Sequence, residues 1–211
     1  MLNNKIEKAG EVISSTAGSE ICVCWTGGGK DSVVLLHLVE SAVSFKPFLL
    51  FIDSGTEFEE TYTILDKYRS SYHVHIETAR MADEFQNNPN AQCSCTEGKI
   101  QAIQRAVFYY DISCLAIGIR WDEHPAREKE FYTRQCPTYK RIHPILHFTE
   151  QDIWDYIKLY NLEVNPLYER GYRSLGCFRC TSMAKEGERE RAGRATEKEG
   201  LMANLRARGY F

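Results

Sequence analysis

No apolar run in the 211-residue chain approaches the roughly 20 residues that a membrane-crossing helix needs. The opening stretch, Met1 to Glu20, is polar and lacks the apolar block of an export signal. The expectation is a cytoplasmic protein with no membrane association. An excess of positive charge is also missing. With 26 Lys and Arg against 29 Asp and Glu, the formal net charge is −3, whereas broad nucleic-acid binding rests on a strongly basic surface. Nucleic acid would be reached only through partner proteins. Internal repeats and low-complexity linkers are lacking, and a chain of this length suits one core. A single domain over 1–211 is expected, with its core at about 20–182 and a charged tail at about 183–211. Eight cysteines in such a chain read as reduced thiols, metal ligands or redox groups, not as a disulfide framework.

What is present is concentrated in Thr26-Gly27-Gly28-Gly29-Lys30-Asp31-Ser32. It lies between the short apolar run Ile21 to Cys24 and the longer one Val33 to Val39. A strand running through glycines into a helix leaves backbone N–H groups bare at the helix N-terminus, where the dipole favours anions. Lys30 adds a cation and Ser32 a hydroxyl, so the expected ligand is a polyphosphate, most simply that of ATP. The commoner loops Gly-x-x-x-x-Gly-Lys-Ser/Thr and Gly-x-Gly-x-x-Gly are both absent.

Beyond the loop, Pro47 to Asp53 reads as a buried parallel strand, followed by a helix at about Glu59 to Ser70 and a strand at about His73 to Thr78. A helix starting at Thr96 places Ile100, Ile103 and Val107 on one face, and Ile112 to Ile119 is another apolar strand. Alternation of this kind predicts an α/β fold, a doubly wound parallel sheet with helices on both faces and an irregular C-terminal extension. Thr149-Glu150-Gln151-Asp152 predicts a capped helix start running into Ile153 to Tyr160, with Trp154, Tyr156 and Ile157 on its packing face. Lys185 to Lys198 reads as a solvated helix or a mobile tail, docked by Leu201 and Leu205.

Ligands of open parallel sheets gather at the carboxyl ends of strands, near the point where strand order reverses. Three such ends carry polar residues: the loop 26–32, Asp53, and Gly118 with Arg120. Asp53 suits water-mediated magnesium or a ribose hydroxyl, and also a simple turn acid. Arg120 and Arg127 offer forked guanidinium groups for a leaving pyrophosphate or an incoming oxyanion; Glu123, Glu128 and Glu130 offer them ion pairs instead. His143 before Pro144 reads as a phosphate contact or as a structural histidine, and Arg173 as a further oxyanion ligand. Cys22, Cys24 and Cys114 fall on buried strands and read as small core residues.

The glycine loop resembles the pyrophosphatase loop Ser-Gly-Gly-x-Asp-Ser of the adenine-nucleotide alpha-hydrolase superfamily, with Gly27 where that pattern has its first serine and Thr26 as the nearest hydroxyl. The stretch Cys95-Thr96-Glu97-Gly98-Lys99 and then Arg120-x-Asp122-Glu123-x-x-x-Arg127-x-Lys129-Glu130 resembles the catalytic subunit of sulfate adenylyltransferase. His143-Pro144-Ile145, Phe148 to Trp154 and Asn165 to Cys177 resemble the matching stretch of the phosphoadenylyl-sulfate reductases. The resemblance implies cleavage of ATP between its alpha and beta phosphates, with magnesium, and transfer of AMP to an oxyanion such as sulfate. Lys30, Asp53, Arg120 and Arg127 would be catalytic. It also implies a partner protein, either a GTPase subunit or a sulfur-transfer protein, and a homo-oligomer.

By the same resemblance, Cys93 and Cys95, with Lys99 nearby, and Cys177 and Cys180 look like the ligands of a [4Fe-4S] cluster; zinc and unpaired thiols are the alternatives. The chain closes on Tyr210-Phe211, not on the Glu-Cys-Gly tail of the reductases, so a plain reductase is not expected. An iron–sulfur ATP pyrophosphatase of DNA phosphorothioation, a phosphoadenylyl- or adenylyl-sulfate reductase-like protein and an inactive nucleotide-binding subunit remain as alternatives.

Overall fold

The computed structural model describes residues 1–16, 20–79, 95–200 and 202–207. Strand β1 (Ile21–Cys24) lies mid-sheet and passes through the glycine loop into helix α2 (Lys30–Ala42); helix α1 (Leu2–Ser14) precedes them. Strand β2 (Phe48–Asp53), helix α3 (Glu59–Arg69) and strand β3 (Val74–Thr78) carry the sheet outward in one direction. Helix α4 (Cys95–Tyr109) then leads to strand β4 (Cys114–Ile117) on the other side of β1. A hairpin of β5 (Thr133–Gln135) and β6 (Lys140–Ile142) completes the order β3-β2-β1-β4-β6-β5, in which only β5 runs antiparallel. Strand order therefore reverses between β1 and β4, where a doubly wound sheet opens a crevice.

Alternation along the strands divides the core into two layers. Val23, Leu49 and Ala116, in register across β2, β1 and β4, pack under α1, α2 and α3 with Ile13, Leu38 and Ile64. Cys22, Leu50 and Leu115 face the opposite way, onto Ile100, Ile103 and Val107 of α4. Helix α5 (Glu150–Tyr160) joins the first layer through Ile153, Tyr156 and Ile157. Its start is the predicted capping box, with the Thr149 hydroxyl accepting from the Asp152 N–H.

Two expectations change. The strand read at 112–119 is shorter, because Gly118 begins the turn that carries Arg120 across the sheet end. The charged stretch 185–198 is not one solvated helix. It forms turns that run back over the sheet, pinned by an antiparallel bridge between Thr181 and Arg194 and by Ser182 N–H donating to the Gly193 carbonyl at 2.8 Å. Gly193 is required there, since a Cβ would stand 2.0 Å from the Ser182 carbonyl oxygen. Short helices α6 (Thr196–Gly200) and α7 (Met202–Ala207) follow, and Met202 is the buried anchor. Leu201 and the Leu205 side chain, named as anchors from sequence, lie outside the described residues.

Candidate functional site

The loop between β1 and α2 owes its shape to two glycines in the left-handed region, Gly27 at φ +69° and Gly28 at φ +79°. A Cβ at Gly27 would lie 2.2 Å from the Thr61 methyl, so the position where related loops carry serine is closed to any side chain here. Thr26 supplies a hydroxyl, 3.0 Å from that of Ser32, which also accepts from the Thr26 N–H at 3.3 Å and donates to the Gly29 carbonyl at 2.9 Å. From the facing turn, Tyr168 places its hydroxyl as acceptor for the Lys30 N–H at 2.9 Å. Gly118 allows the end of β4 to approach, with its hypothetical Cβ 3.1 Å from the Asp31 carbonyl oxygen.

Under this loop lies a buried charge cluster. Lys30, 1% exposed, donates from Nζ to Glu190 and to the Arg173 carbonyl, with Asp31 at 3.3 Å. Arg120, 0% exposed, donates to Asp31 and Glu190 at 2.6 Å each and to Asp122 at 2.5 Å. Burial works against both cations, and Asp31 and Glu190 outweigh it and raise both pKa values. Burial alone would raise the Asp31 carboxyl; Lys30 and Arg120 reverse that and hold it well below the usual range.

Above the cluster, between the ends of β1 and β4, a cavity of about 210 Å³ is lined by Thr26, Lys30, Asp31, Ser32 and Gly118 and by the cations Lys99, Arg127, Arg191 and Arg194. Lys99 pairs with Glu57 at 3.0 Å, Arg127 with Glu123, and Arg191 with Glu123 and Glu199 at 2.6 Å each. Arg194 is different. It is 9% exposed, donates to the Leu175 carbonyl, and its Nε finds no hydrogen-bond partner among the described residues. Buried polar groups are normally paired, so this guanidinium keeps a donor in reserve at the cavity wall.

The residues singled out from sequence divide accordingly. Loop 26–32, Gly118 and Arg127 meet at the cavity or directly under it, and Arg120 lies in the cluster below. Asp53 stands off the cavity wall, with Oδ1 accepting from the Gly55 N–H at 2.7 Å and the Tyr62 hydroxyl at 2.8 Å. His143 is fully buried away from it, its Nδ1 2.9 Å from the Phe131 carbonyl oxygen. Arg173 points its guanidinium to Glu150 and offers Lys30 only a carbonyl. Cys24, read as core, is on the cavity wall, and burial pushes its thiol up to about 11.

Cys177 and Cys180 are buried together beside Ala195, on a turn (Phe178–Cys180) whose Phe178 N–H donates to the Thr56 carbonyl at 2.9 Å. Cys93 and the Cys95 side chain lie outside the described residues. Lys99, one turn into α4, pairs with Glu57, next to the Thr56 carbonyl that the Phe178 N–H reaches. Cys177 and Cys180 fit two ligands of a thiolate set. Among the described residues no three His, Cys, Asp or Glu side chains converge as a metal site; magnesium, held by one or two carboxylates together with substrate phosphates and water, does not require one.

Glu190, Arg191 and Arg194 escaped the sequence reading because a dense run of Lys, Arg and Glu normally marks a solvated face. The available signal was Gly193 inside that run, out of place in a helix.

A glycine-rich pyrophosphatase-type loop at the switch point of a doubly wound sheet, facing a cationic cavity, defines an α/β protein of the pyrophosphatase-loop class. The chain belongs to the phosphoadenosine phosphosulfate reductase domain family, whose model matches residues 21–183, a family of sulfur metabolism. It is 30% identical to the adenosine 5'-phosphosulfate reductase of Shouchella clausii over 79% of this chain and 73% of that one. Its fold is similar to that of the phosphoadenylyl-sulfate reductase of Candida auris in its phosphate complex, at TM-score 0.63 and 18% identity over 87% of this chain and 96% of that one. It is similar also to the FMN adenylyltransferase of Candida glabrata with FAD and pyrophosphate, at TM-score 0.68 and 18% identity over 89% and 70%. No described helix is long and apolar enough to cross a membrane.

Proposed function

We propose that the cavity binds adenylyl sulfate and that the protein acts on its phosphosulfate bond, with thiol-dependent reduction to AMP and sulfite as the reaction. The observation that carries this reading is the division of the cations. Lys30, assigned from sequence to the polyphosphate of ATP, and Arg120, assigned to a leaving pyrophosphate or an incoming oxyanion, are neutralised from within by Asp31, Asp122 and Glu190. Lys99, Arg127, Arg191 and Arg194 line the cavity, and only Arg194 has no carboxylate within ion-pair distance among the described residues. Such a site suits one compact phosphosulfate group better than a triphosphate chain.

In this reading a thiolate attacks the sulfur, the S–O bond breaks, and AMP departs with its phosphate charge held by the arginines. A second thiol then displaces sulfite, so two thiols become one disulfide. Cys24, with its thiol near 11, is protonated at neutral pH and is no candidate nucleophile; a separate dithiol reductant supplies the electrons. Cys177 and Cys180, with Cys93 and Cys95, would hold an iron–sulfur cluster, which would supply a fixed charge. No step is assigned to magnesium.

A second reading runs the bond-making direction, with AMP transferred from ATP to sulfate and pyrophosphate released, driven by a GTPase partner. The glycine loop with its Thr26 and Ser32 hydroxyls favours it. Anaerobic incubation of the purified protein with adenylyl sulfate and a dithiol, and separately with ATP, magnesium and sulfate, decides between them. AMP with stoichiometric sulfite supports reduction; pyrophosphate released only when sulfate is present overturns it in favour of transfer.

A further inference from the structure

The charge cluster beneath the loop carries an inference of its own, which rests on the adenylyl-sulfate reading and concerns what the site refuses. Glu190 comes from the turn over the sheet, far along the chain, and its side chain is 8% exposed. One carboxylate oxygen accepts from Lys30 Nζ and the other from Arg120 Nη2 at 2.6 Å. It thus bridges the cations that a strand-loop-helix anion cradle would otherwise present to a ligand. The Lys30 N–H at that corner is likewise engaged, by the Tyr168 hydroxyl at 2.9 Å. Counting Lys30 and Arg120 against Asp31, Asp122 and Glu190, the cluster carries one more negative charge than positive. A second phosphate arriving there would meet a carboxylate, not an open cation.

We infer that Glu190 is a specificity-determining residue: its carboxylate occupies the seat of a second phosphate on Lys30 and Arg120, so the cavity admits a nucleotide ending in one phosphosulfate and refuses a pyrophosphoryl chain. Arg191 and Arg194, the next cations along the same turn, line the cavity above it. One segment therefore closes the lower anion seat and furnishes the upper one.

The test uses inorganic pyrophosphate as probe, by titration calorimetry on the full chain. Wild type is expected to bind it weakly. Glu190→Gln, which keeps the shape and removes the charge, is expected to bind it about tenfold tighter or more, as the loss of a like charge at close range demands. The double variant Glu190→Gln with Lys30→Gln should lose that gain. A purely structural role for Glu190 would lower affinity for every ligand and never raise one. Equal pyrophosphate affinity in wild type and Glu190→Gln, or a gain that survives loss of Lys30, overturns the inference. Should Glu190→Gln fail to fold, Glu190→Asp, which withdraws the carboxylate by a methylene, is expected to show a smaller gain, and no gain there overturns it equally. Titration with adenylyl sulfate in parallel separates the failures: a wild type that does not bind it sinks the proposed substrate, while the pyrophosphate comparison still decides the role of Glu190.

Discussion

Asn165 donates its side-chain amide to the Gly27 carbonyl at 3.1 Å. The same amide reaches the Thr61 hydroxyl at 3.2 Å, the Asn165 N–H donates to the Gly28 carbonyl at 2.9 Å, and Oδ1 accepts from the Leu167 N–H at 3.1 Å. One fully buried side chain thereby ties the glycine loop to α3 and to the turn that carries Tyr168. Asn165→Ala leaves buried partners unsatisfied and is expected to cost about 1–3 kcal/mol. It should also weaken nucleotide binding, because the loop loses its clamp. Denaturant unfolding and adenylyl sulfate titration of the same variant check both; an unchanged midpoint would show that the loop holds its own shape.

Gly27→Ser, which would restore the serine of related loops, is expected to damage the protein. The position has φ +69° and its Cβ would press on Thr61. A left-handed conformation costs a non-glycine residue about 1–2 kcal/mol before any clash, and β1, α2 and α3 all meet here. Thermal melting should show a lower Tm and turnover should fall. A gain in turnover would mean that the loop relaxes enough to use the hydroxyl.

Much of this was legible in the sequence where local chemistry acts alone. The glycine loop, the helix start at Thr149 and the apolar strands were all readable, since apolar runs, turn residues and caps are local signals. What could not be read was which charges meet. Lys30 announces a phosphate ligand by its place in the loop, yet its Nζ is turned to a carboxylate from the far end of the chain. Asp53 ends its strand where a metal-holding carboxylate would be expected, and the side chain that engages it is Tyr62 of α3, brought back by the turn between them. Such pairings depend on tertiary approach, which charge patterning along the chain does not encode.

His143 gives the protein a predictable acid sensitivity. Burial drives its pKa down to about 3, with the neighbouring Arg141, Arg127 and Arg134 adding to the shift against the Phe131 carbonyl, so the ring is neutral in the folded state. The unfolded chain takes up a proton near pH 6.5. A folded pKa below the unfolded one means stability that is complete above pH 6.5 and is lost as pH falls toward 3. At pH 5 the loss attributable to His143 is about 2 kcal/mol. The stability difference between pH 7 and pH 5 should shrink by that amount in His143→Asn, which cannot titrate. An identical pH profile in the variant would show that the ring already carries its proton in the native protein.

Gly176→Ala tests the anion seat without touching a charge. The structure gives Gly176 no left-handed torsion, so alanine brings no backbone penalty, but its Cβ would lie 2.3 Å from Arg194 Nη2 and 2.6 Å from the guanidinium carbon. The obstacle is the tip of a flexible side chain, so Arg194 moves and the backbone stays. Misplacing a charge-assisted donor is worth about 1.5–3 kcal/mol, or roughly one to two orders of magnitude in affinity. Gly176→Ala is therefore expected to bind adenylyl sulfate at least about tenfold more weakly with its Tm almost unchanged. Wild-type affinity in this variant would remove Arg194 from the ligand and leave the anion to Lys99, Arg127 and Arg191.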